Sequence, residues 1–250
     1  METGFELSLL SMIANFLELW KNIIYEPIYN LVIITYNFSP GPNFGWAVIG
    51  LAVLFQFLFL YFTLLNFKHE QQLIEVKPLI EAIEKDQSLT SRQKIEKVSQ
   101  VTKPIGINPF ISALPLGAQI LFLGVLYQII QGGIYISTFD DLYSFVSKPI
   151  SINTQFVGFN LAKPSIVLSL VAAGFLFFDR IWEYNKKKKI GSAFSQKWDP
   201  LIWPLGTFII LLVLPSAKAI YLMTAVTFSF IIKSIIFRTV LASKASIPGS

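Results

Sequence analysis

The chain has 250 residues, no cysteine, a single histidine and a formal net charge of +5, with 54% of its residues hydrophobic and 14% charged. Soluble domains carry roughly a quarter charged residues, so this composition, with a mean hydropathy of +0.60, predicts an integral membrane protein. Disulfides, thiolate metal sites and a lipid-modified cysteine are excluded, and His69 alone leaves no histidine cluster for a metal.

The first stretch, residues 1–42, is expected to form an N-terminal segment. Its start lacks the basic region and cleavage site of a secretory signal and carries Glu2, Glu6 and Glu18, so it reads as retained. From Leu19 to Tyr36 the pattern is aromatic and aliphatic, with Lys21 and Glu26 on one side and an interruption at Pro27. It suits a helix lying in the membrane interface. Ser39-Pro40-Gly41-Pro42 then forces a turn. Phe44 to Leu65 supplies 22 residues without a charge, enough to cross about 30 Å of hydrocarbon at 1.5 Å per residue. Gln56 sits near the middle of that run, where an amide needs a protein partner or a wet cavity.

From Phe67 to Lys103 the sequence is charged and helix-prone, broken at Asp86-Gln87-Ser88 and then given a capping-box spacing at Thr90 and Gln93. Apolar residues at Ile74, Leu79, Ile80 and Ile83, then at Ile95, Val98 and Val101, recur at helical intervals. A helical hairpin in water over 67–104 is predicted; an ordinary solvated loop with charge pairs is the alternative. The second apolar segment carries Pro109, Pro115, Gln119, Gln128 and Gln131 and predicts a span over 109–131, ended by Gly132-Gly133. Residues 135–160 read as a mixed loop on the membrane surface. Pro164 opens a third span, 164–183, with Asp179, Arg180, Glu183 and the run Lys186 to Lys189 marking water. Pro215-Ser216-Ala217-Lys218 divides the last apolar stretch into spans at 200–215 and 219–237, with a tail at 239–250.

The predicted fold is all-α: a polytopic bundle of five transmembrane helices over a 43–238 core, with a cytoplasmic helical hairpin and an N-terminal interfacial helix. Lysine and arginine concentrate in the hairpin and in the loop after the third span, whereas the other side has Lys21, Lys148, Lys163 and Lys218. The positive-inside rule therefore puts hairpin, lysine-rich loop and C-terminal tail in the cytoplasm and the N-terminus outside, in the cell membrane.

Several local features fall in one register: Asn43-Phe44-Gly45-Trp46, Lys77-Pro78-Leu79-Ile80, Asn108-Pro109-Phe110 with Leu114-Pro115-Leu116 and Gln119, Leu126-Tyr127, Phe156 to Pro164, and Leu214-Pro215-Ser216 with Ile220-Tyr221. Their order and spacing resemble the YidC family of membrane protein insertases, from about Leu19 to Phe237. The resemblance implies a groove, open to cytoplasm and lipid, that accepts the polar part of a nascent membrane protein while its hydrophobic helix passes into the bilayer. It implies no covalent catalysis, metal or cofactor. As partners it implies nascent membrane proteins and lipids, with the Sec translocon and ribosome beside them, and no DNA.

On this register the groove arginine of bacterial members falls on Gln56, and Val226 stands near the asparagine usual in the last span. Candidate groove residues are Gln56, Gln119, Thr63, Ser112, Thr227 and Lys233; Arg180, Lys186, Lys187, Lys188 and Lys189 are candidates for the cytoplasmic mouth or for lipid and ribosome contact. Each has a plainer reading. Gln56 and Gln119 could hydrogen-bond between helices, a use worth about 0.6–2 kcal/mol. Thr63, Ser112, Ser169, Thr224, Thr227 and Ser229 could bond back to their own helices. Lys233 and Arg180 could snorkel to the interface, and Tyr127 and Tyr221 could anchor there. His69, Glu70 and Glu75 read as a solvated face, and the lysine run as a topology signal that could also touch phosphates. The alternative function is a small transporter or channel subunit; repeated halves and buried acids, which it would want, are not evident in the sequence. A membrane enzyme would want a histidine centre or paired acids, which a lone histidine serves poorly.

Overall fold

A computed structural model describes residues 2–106, 109–131, 141–190 and 198–245. Among them the helices are α1 (Glu2–Leu19), α2 (Glu26–Phe38), α3 (Phe44–Leu58), α4 (Leu60–Lys85), α5 (Ser91–Thr102), α6 (Pro109–Gln131), α7 (Ile166–Ile190), α8 (Asp199–Val213) and α9 (Ala217–Ala245). A π-helical turn, Trp20–Tyr25, joins α1 to α2. Strands β1 (Gln155–Phe156) and β2 (Phe159–Asn160) form an antiparallel hairpin. The molecule is mostly helical, as composition and periodicity predict.

The helices depart from expectation in four places. The helix expected to end near Trp182 continues through the lysine run to Ile190, and the last helix continues through the expected tail to Ala245. Lysine is a good helix former, so charge marks where a span leaves the membrane without ending the helix. Pro27, expected to interrupt, follows directly on the π-helical turn, through which the helix runs on with Tyr25 and Glu26 in helical geometry and the Glu26 N–H reaching back five residues to Lys21 O; such a π-bulge accommodates a residue that has no N–H to give. Last, the run from Phe44 to Leu65 is not one straight helix, because the axis bends by 49° between Phe44–Leu58 and Leu60–His69. Phe59 leaves the helical region at φ −95°, ψ 5°, and its carbonyl accepts both the Thr63 N–H at 3.1 Å and the Thr63 hydroxyl at 3.2 Å. Such back-bonding bends helices.

Among the described residues, Ala217–Arg238 is long and apolar enough to cross a bilayer, and the bent pair is so if taken as one span. Gly117–Ile130 and Pro200–Val213 are shorter apolar helices. The span expected at 200–215 is the 15-residue α8 with Pro204 inside it, below the ~20 residues of an untilted crossing.

Contacts divide the chain into two units. The first comprises residues 1–53, 120–173 and 206–225. Its α2 buries Tyr29, Val32, Ile33 and Tyr36 on one stripe, the i, i+3, i+4, i+7 pattern of an amphipathic helix. Asn30, also buried, donates to the carbonyls of Glu26 at 2.8 Å and Asp141 at 2.9 Å and accepts the Tyr143 N–H at 2.7 Å. The Tyr36 hydroxyl donates to Ser151 O at 3.1 Å and accepts the Asn153 N–H at 2.9 Å. Lys21 pairs with Asp141 at 2.7 Å, whose hydrogen bond and charge hold the ammonium above its ordinary range. The described part of the expected surface loop is thus folded against α2. Asn30→Leu should cost about 2–4 kcal/mol, since it orphans the Tyr143 N–H and the Asp141 carbonyl together; the shift in thermal midpoint in detergent measures it.

The β1–β2 hairpin turns through Val157 at φ +48° and Gly158 at φ +81°, the positive-φ pair that matches strand twist. It presents Phe156 to the start of α3, where Trp46 meets the ring edge-on at 5.5 Å. A Cβ on Gly45 would fall inside the Phe156 ring, so only glycine permits this approach. Gly45→Val should destabilise the unit by about 1–3 kcal/mol, read as a lowered thermal midpoint. Ser216 fastens the turn before α9, giving its hydroxyl at 2.6 Å and its N–H at 3.0 Å to Lys163 O. Tyr221, expected as an interface anchor, is instead 1% exposed beside Phe122.

The second unit comprises residues 54–119, 174–205 and 226–250. Its α4 and α5 form the expected helix–turn–helix, closed by an Asp86–Ser88 turn and opened again by the capping box: Gln93 Oε1 accepts the Thr90 N–H at 2.9 Å and Thr90 Oγ1 accepts the Gln93 N–H at 3.4 Å. Two hydrogen bonds from Ser88 hold the Asp86 carboxyl below its ordinary range. Phe237 joins Phe67 and Trp182 edge-on, at 5.4 and 5.5 Å, and Phe57 meets Phe228 at 4.9 Å. The α9 aromatics are therefore the hub of this unit.

Candidate functional site

The polar residues singled out by sequence are best judged by what α7 and α9 bring together inside the second unit. Asp179 is 3% exposed, although it was expected to mark water. Its Oδ2 accepts from Lys233 Nζ at 3.0 Å, and the same ammonium donates to Glu183 Oε2 at 2.7 Å. Glu183 lies one turn after Asp179, so both carboxylates share the helix face toward α9. Arg180 Nη1 stands 3.6 Å from Glu183 Oε2, and neither Arg180 Nε nor Asp179 Oδ1, both buried, has a hydrogen-bond partner. Snorkelling is thus the wrong account of Lys233, whose side chain is 18% exposed and held by two carboxylates. Low dielectric strengthens such a pair and makes its rupture expensive.

Next to this cluster a cavity of about 370 Å³ is lined by Gly174, Phe175, Phe178 and Asp179 of α7 and by Val226, Thr227 and Phe230 of α9. Thr227, one of the groove candidates, lies on its wall, and Val226 is buried there. Gln56 and Gln119 are half-buried in the same unit. Among the described residues neither amide makes a hydrogen bond. Thr63 bonds back to Phe59, and Ser169 and Thr224 bond back to Ser165 and Ile220 at 2.8 and 2.9 Å, following the plainer reading. Lys186 lies 5.7 Å from the Trp182 ring centroid, a cation–π contact. Glu75 is exposed as expected, whereas His69 is half-buried, with its Nδ1 enclosed and unbonded. The side chains of Ser112, Glu70, Lys187, Lys188 and Lys189 lie outside the described residues, as does Gly132-Gly133.

Sequence reasoning missed the Asp179–Lys233 pair because its members are 54 residues apart. A signal was present: an acid and a base inside otherwise apolar helices are expected to find one another. Chemically the cluster offers charge held away from water, bordered by an apolar cavity. Among the described residues no group of three or more metal-ligating side chains occurs.

The family model described as "60Kd inner membrane protein" matches residues 34–243. Among curated relatives, a membrane protein insertase YidC of Staphylococcus aureus is 24% identical over 237 residues, covering 90% of this chain and 77% of the relative. Proteins of the same name from Bordetella petrii and Bordetella avium are 25% identical over 179 residues, covering 64% of this chain. This chain spans 31% of the Bordetella petrii relative and 32% of the Bordetella avium one. With the family model matched across most of its length, from before α3 into the last turns of α9, the chain belongs to the 60Kd inner membrane protein family.

Proposed function

We propose that this chain is a membrane protein insertase and chaperone. It accepts a nascent membrane protein in a polar groove facing the cytoplasm and releases the client's hydrophobic helix into the bilayer. The observation that carries the reading is similarity to YidC insertases along 90% of the chain. The work required is thermodynamic: polar groups are carried part-way across at reduced cost, and burial of the client's apolar span drives the process. Half-buried amides at Gln56 and Gln119, without partners among the described residues, suit such a groove.

In this reading the chain has five spans: 44–66, bent at Phe59, then 109–131, 164–183, 200–215 and 219–237. The α4–α5 hairpin and the C-terminus are cytoplasmic and the N-terminus is outside. Residues 1–42 form an N-terminal segment, 43–238 the insertase core and 239–250 a tail. It performs no covalent chemistry, and the Sec translocon and ribosome are its working neighbours. The test is insertion of a short single-span protein into vesicles with and without the purified chain. Insertion should depend on the chain, and equal insertion without it refutes the reading.

One observation favours a transporter more than the sequence did. A buried acid paired with a base, the Asp179–Lys233 pair, is of the kind transport pathways use. Solute flux through liposomes holding only this chain would support that second reading; a tight membrane excludes it.

A further inference from the structure

We propose that the last turns of α6 and the start of α9, both in the first unit, hold the headgroup of an anionic glycerophospholipid, with Lys218 and Tyr127 as its ligands and Lys163 as a second cation beside them. The proposal requires only that the chain sit in a bilayer and is independent of the insertase reading. Lys218 is 7% exposed in the first turn of α9, with no carboxylate partner among the described residues. Its stem is buried, but its ammonium, 4.5 Å from the centroid of the Tyr127 ring, is not an enclosed atom. A lysine so placed snorkels, carrying its charge along an apolar surface toward the headgroups. Tyr127 is 39% exposed, so a group that reaches the ring reaches the ammonium as well. Its hydroxyl makes no hydrogen bond among the described residues and offers a second donor beside the cation.

Positive charge accumulates here without an acid to balance it. The N-terminal end of a helix is its positive pole, where a cation is unfavourable and an anion favourable, and α9 is 29 residues long. Its first N–H groups are already bonded, Ser216 to Lys163 O, Ala217 to Leu161 O and Lys218 to Pro215 O, each at 3.0 Å. The dipole therefore attracts an anion that side chains must hold. Ser216 also ties Lys163 to this end of α9 through its hydroxyl at 2.6 Å, and the Lys163 side chain is exposed with no acidic partner among the described residues. The nearby acids Glu26 and Asp141 are both taken by Lys21, at 3.8 and 2.7 Å. The Tyr127 ring offsets part of the cost of the Lys218 charge and neutralises none of it. The source of the anion follows from the level. Trp20 donates its indole N–H to Gln128, the neighbour of Tyr127, at 3.4 Å, and tryptophan and tyrosine concentrate at the headgroup level of a bilayer. The anion abundant at that level is a lipid phosphate, whose oxygens can accept from the ammonium and from the hydroxyl together.

The experiment titrates the full chain in detergent with short-chain phosphatidylglycerol and, separately, with phosphatidylcholine, and counts bound lipid by native mass spectrometry. Both lipids carry the phosphate, and only the first is anionic overall. Phosphatidylglycerol should bind about tenfold more tightly, the order expected of one hydrogen bond to a charged group. Lys218→Met keeps the buried stem and should remove most of that preference, whereas Lys218→Arg should retain it. Tyr127→Phe keeps the ring and should weaken phosphatidylglycerol about threefold, the loss of one ordinary hydrogen bond. Lys94→Met removes an ammonium bonded to Glu84 O on the α4–α5 hairpin and should change nothing. If the methionine variant does not fold, the arginine and phenylalanine variants carry the test. Equal binding of the two lipids by the unsubstituted chain, or a preference that Lys218→Met leaves intact, overturns the proposal. So does inorganic phosphate binding as tightly as phosphatidylglycerol, which would make this a site for a free anion. Displacement of the lipid by a soluble acidic peptide overturns it too, and would assign Lys218 to a client segment. Because no client is present, failure here leaves the insertase reading standing, and a chain that binds the lipid but inserts nothing keeps the site and loses that reading.

Discussion

Replacing Lys233 with methionine is expected to lower stability by about 3–5 kcal/mol, because it leaves the Asp179 and Glu183 carboxyls buried with their shared cation gone. Both are well covered, with side chains 4% and 13% exposed. Arg180, at 3.6 Å from Glu183, can compensate one carboxylate and leaves Asp179 stranded. The double variant Lys233→Met with Asp179→Asn should therefore recover most of the loss, since the remaining Glu183 keeps its arginine. Thermal unfolding in detergent of the single and double variants measures both statements. If the single variant melts with the unsubstituted protein, the pair carries no structural weight.

The second large effect is expected at Gln56 and concerns activity. Gln56→Leu should reduce insertion of single-span clients by about threefold or more, the equivalent of one intramembrane hydrogen bond, without lowering the melting temperature. A stability loss with normal insertion would instead mark Gln56 as a structural residue. Gln56→Arg should be tolerated, because the site is half-buried and a long side chain can carry its charge toward water. It should also shift preference toward clients with acidic tails, since a guanidinium restores a cation where the amide has none. Competition between acidic-tailed and neutral-tailed clients in vesicles reads that shift directly.

How far the sequence could be read depends on the range of the interactions concerned. The α4–α5 turn was legible at Asp86 to Gln93 because a capping box is local, its two bonds closing over three residues. The helix at Pro109–Gln131 was equally legible from a continuous apolar run. The bend at Phe59 was not, since the Thr63 hydroxyl that bonds back to Phe59 O there does the same thing as Ser169 and Thr224 in unbroken helices, and nothing in the sequence distinguishes the three. The fold of residues 141–163 was hidden for a different reason. Asn30, Tyr36 and Asn37 bond to it across more than a hundred residues, through backbone groups that carry no side-chain signature. Asp179 was misread because charge near the end of an apolar helix ordinarily means water, and only a partner on another helix reverses that meaning. Gln56 stands out in sequence because an amide amid phenylalanines and leucines needs a reason wherever the helix lies, and its role in a groove is part of the proposal.

If the insertase reading holds, a client passes beside Gln56 while it is being inserted. A photo-crosslinking residue at position 56, activated during translation of a short single-span protein into vesicles containing this chain, reports that passage without an intervening step. Adducts with the nascent chain are expected to appear while its hydrophobic segment is emerging and to vanish once insertion is complete. Insertion that proceeds normally with no adduct from position 56 at any chain length would mean that clients take another route.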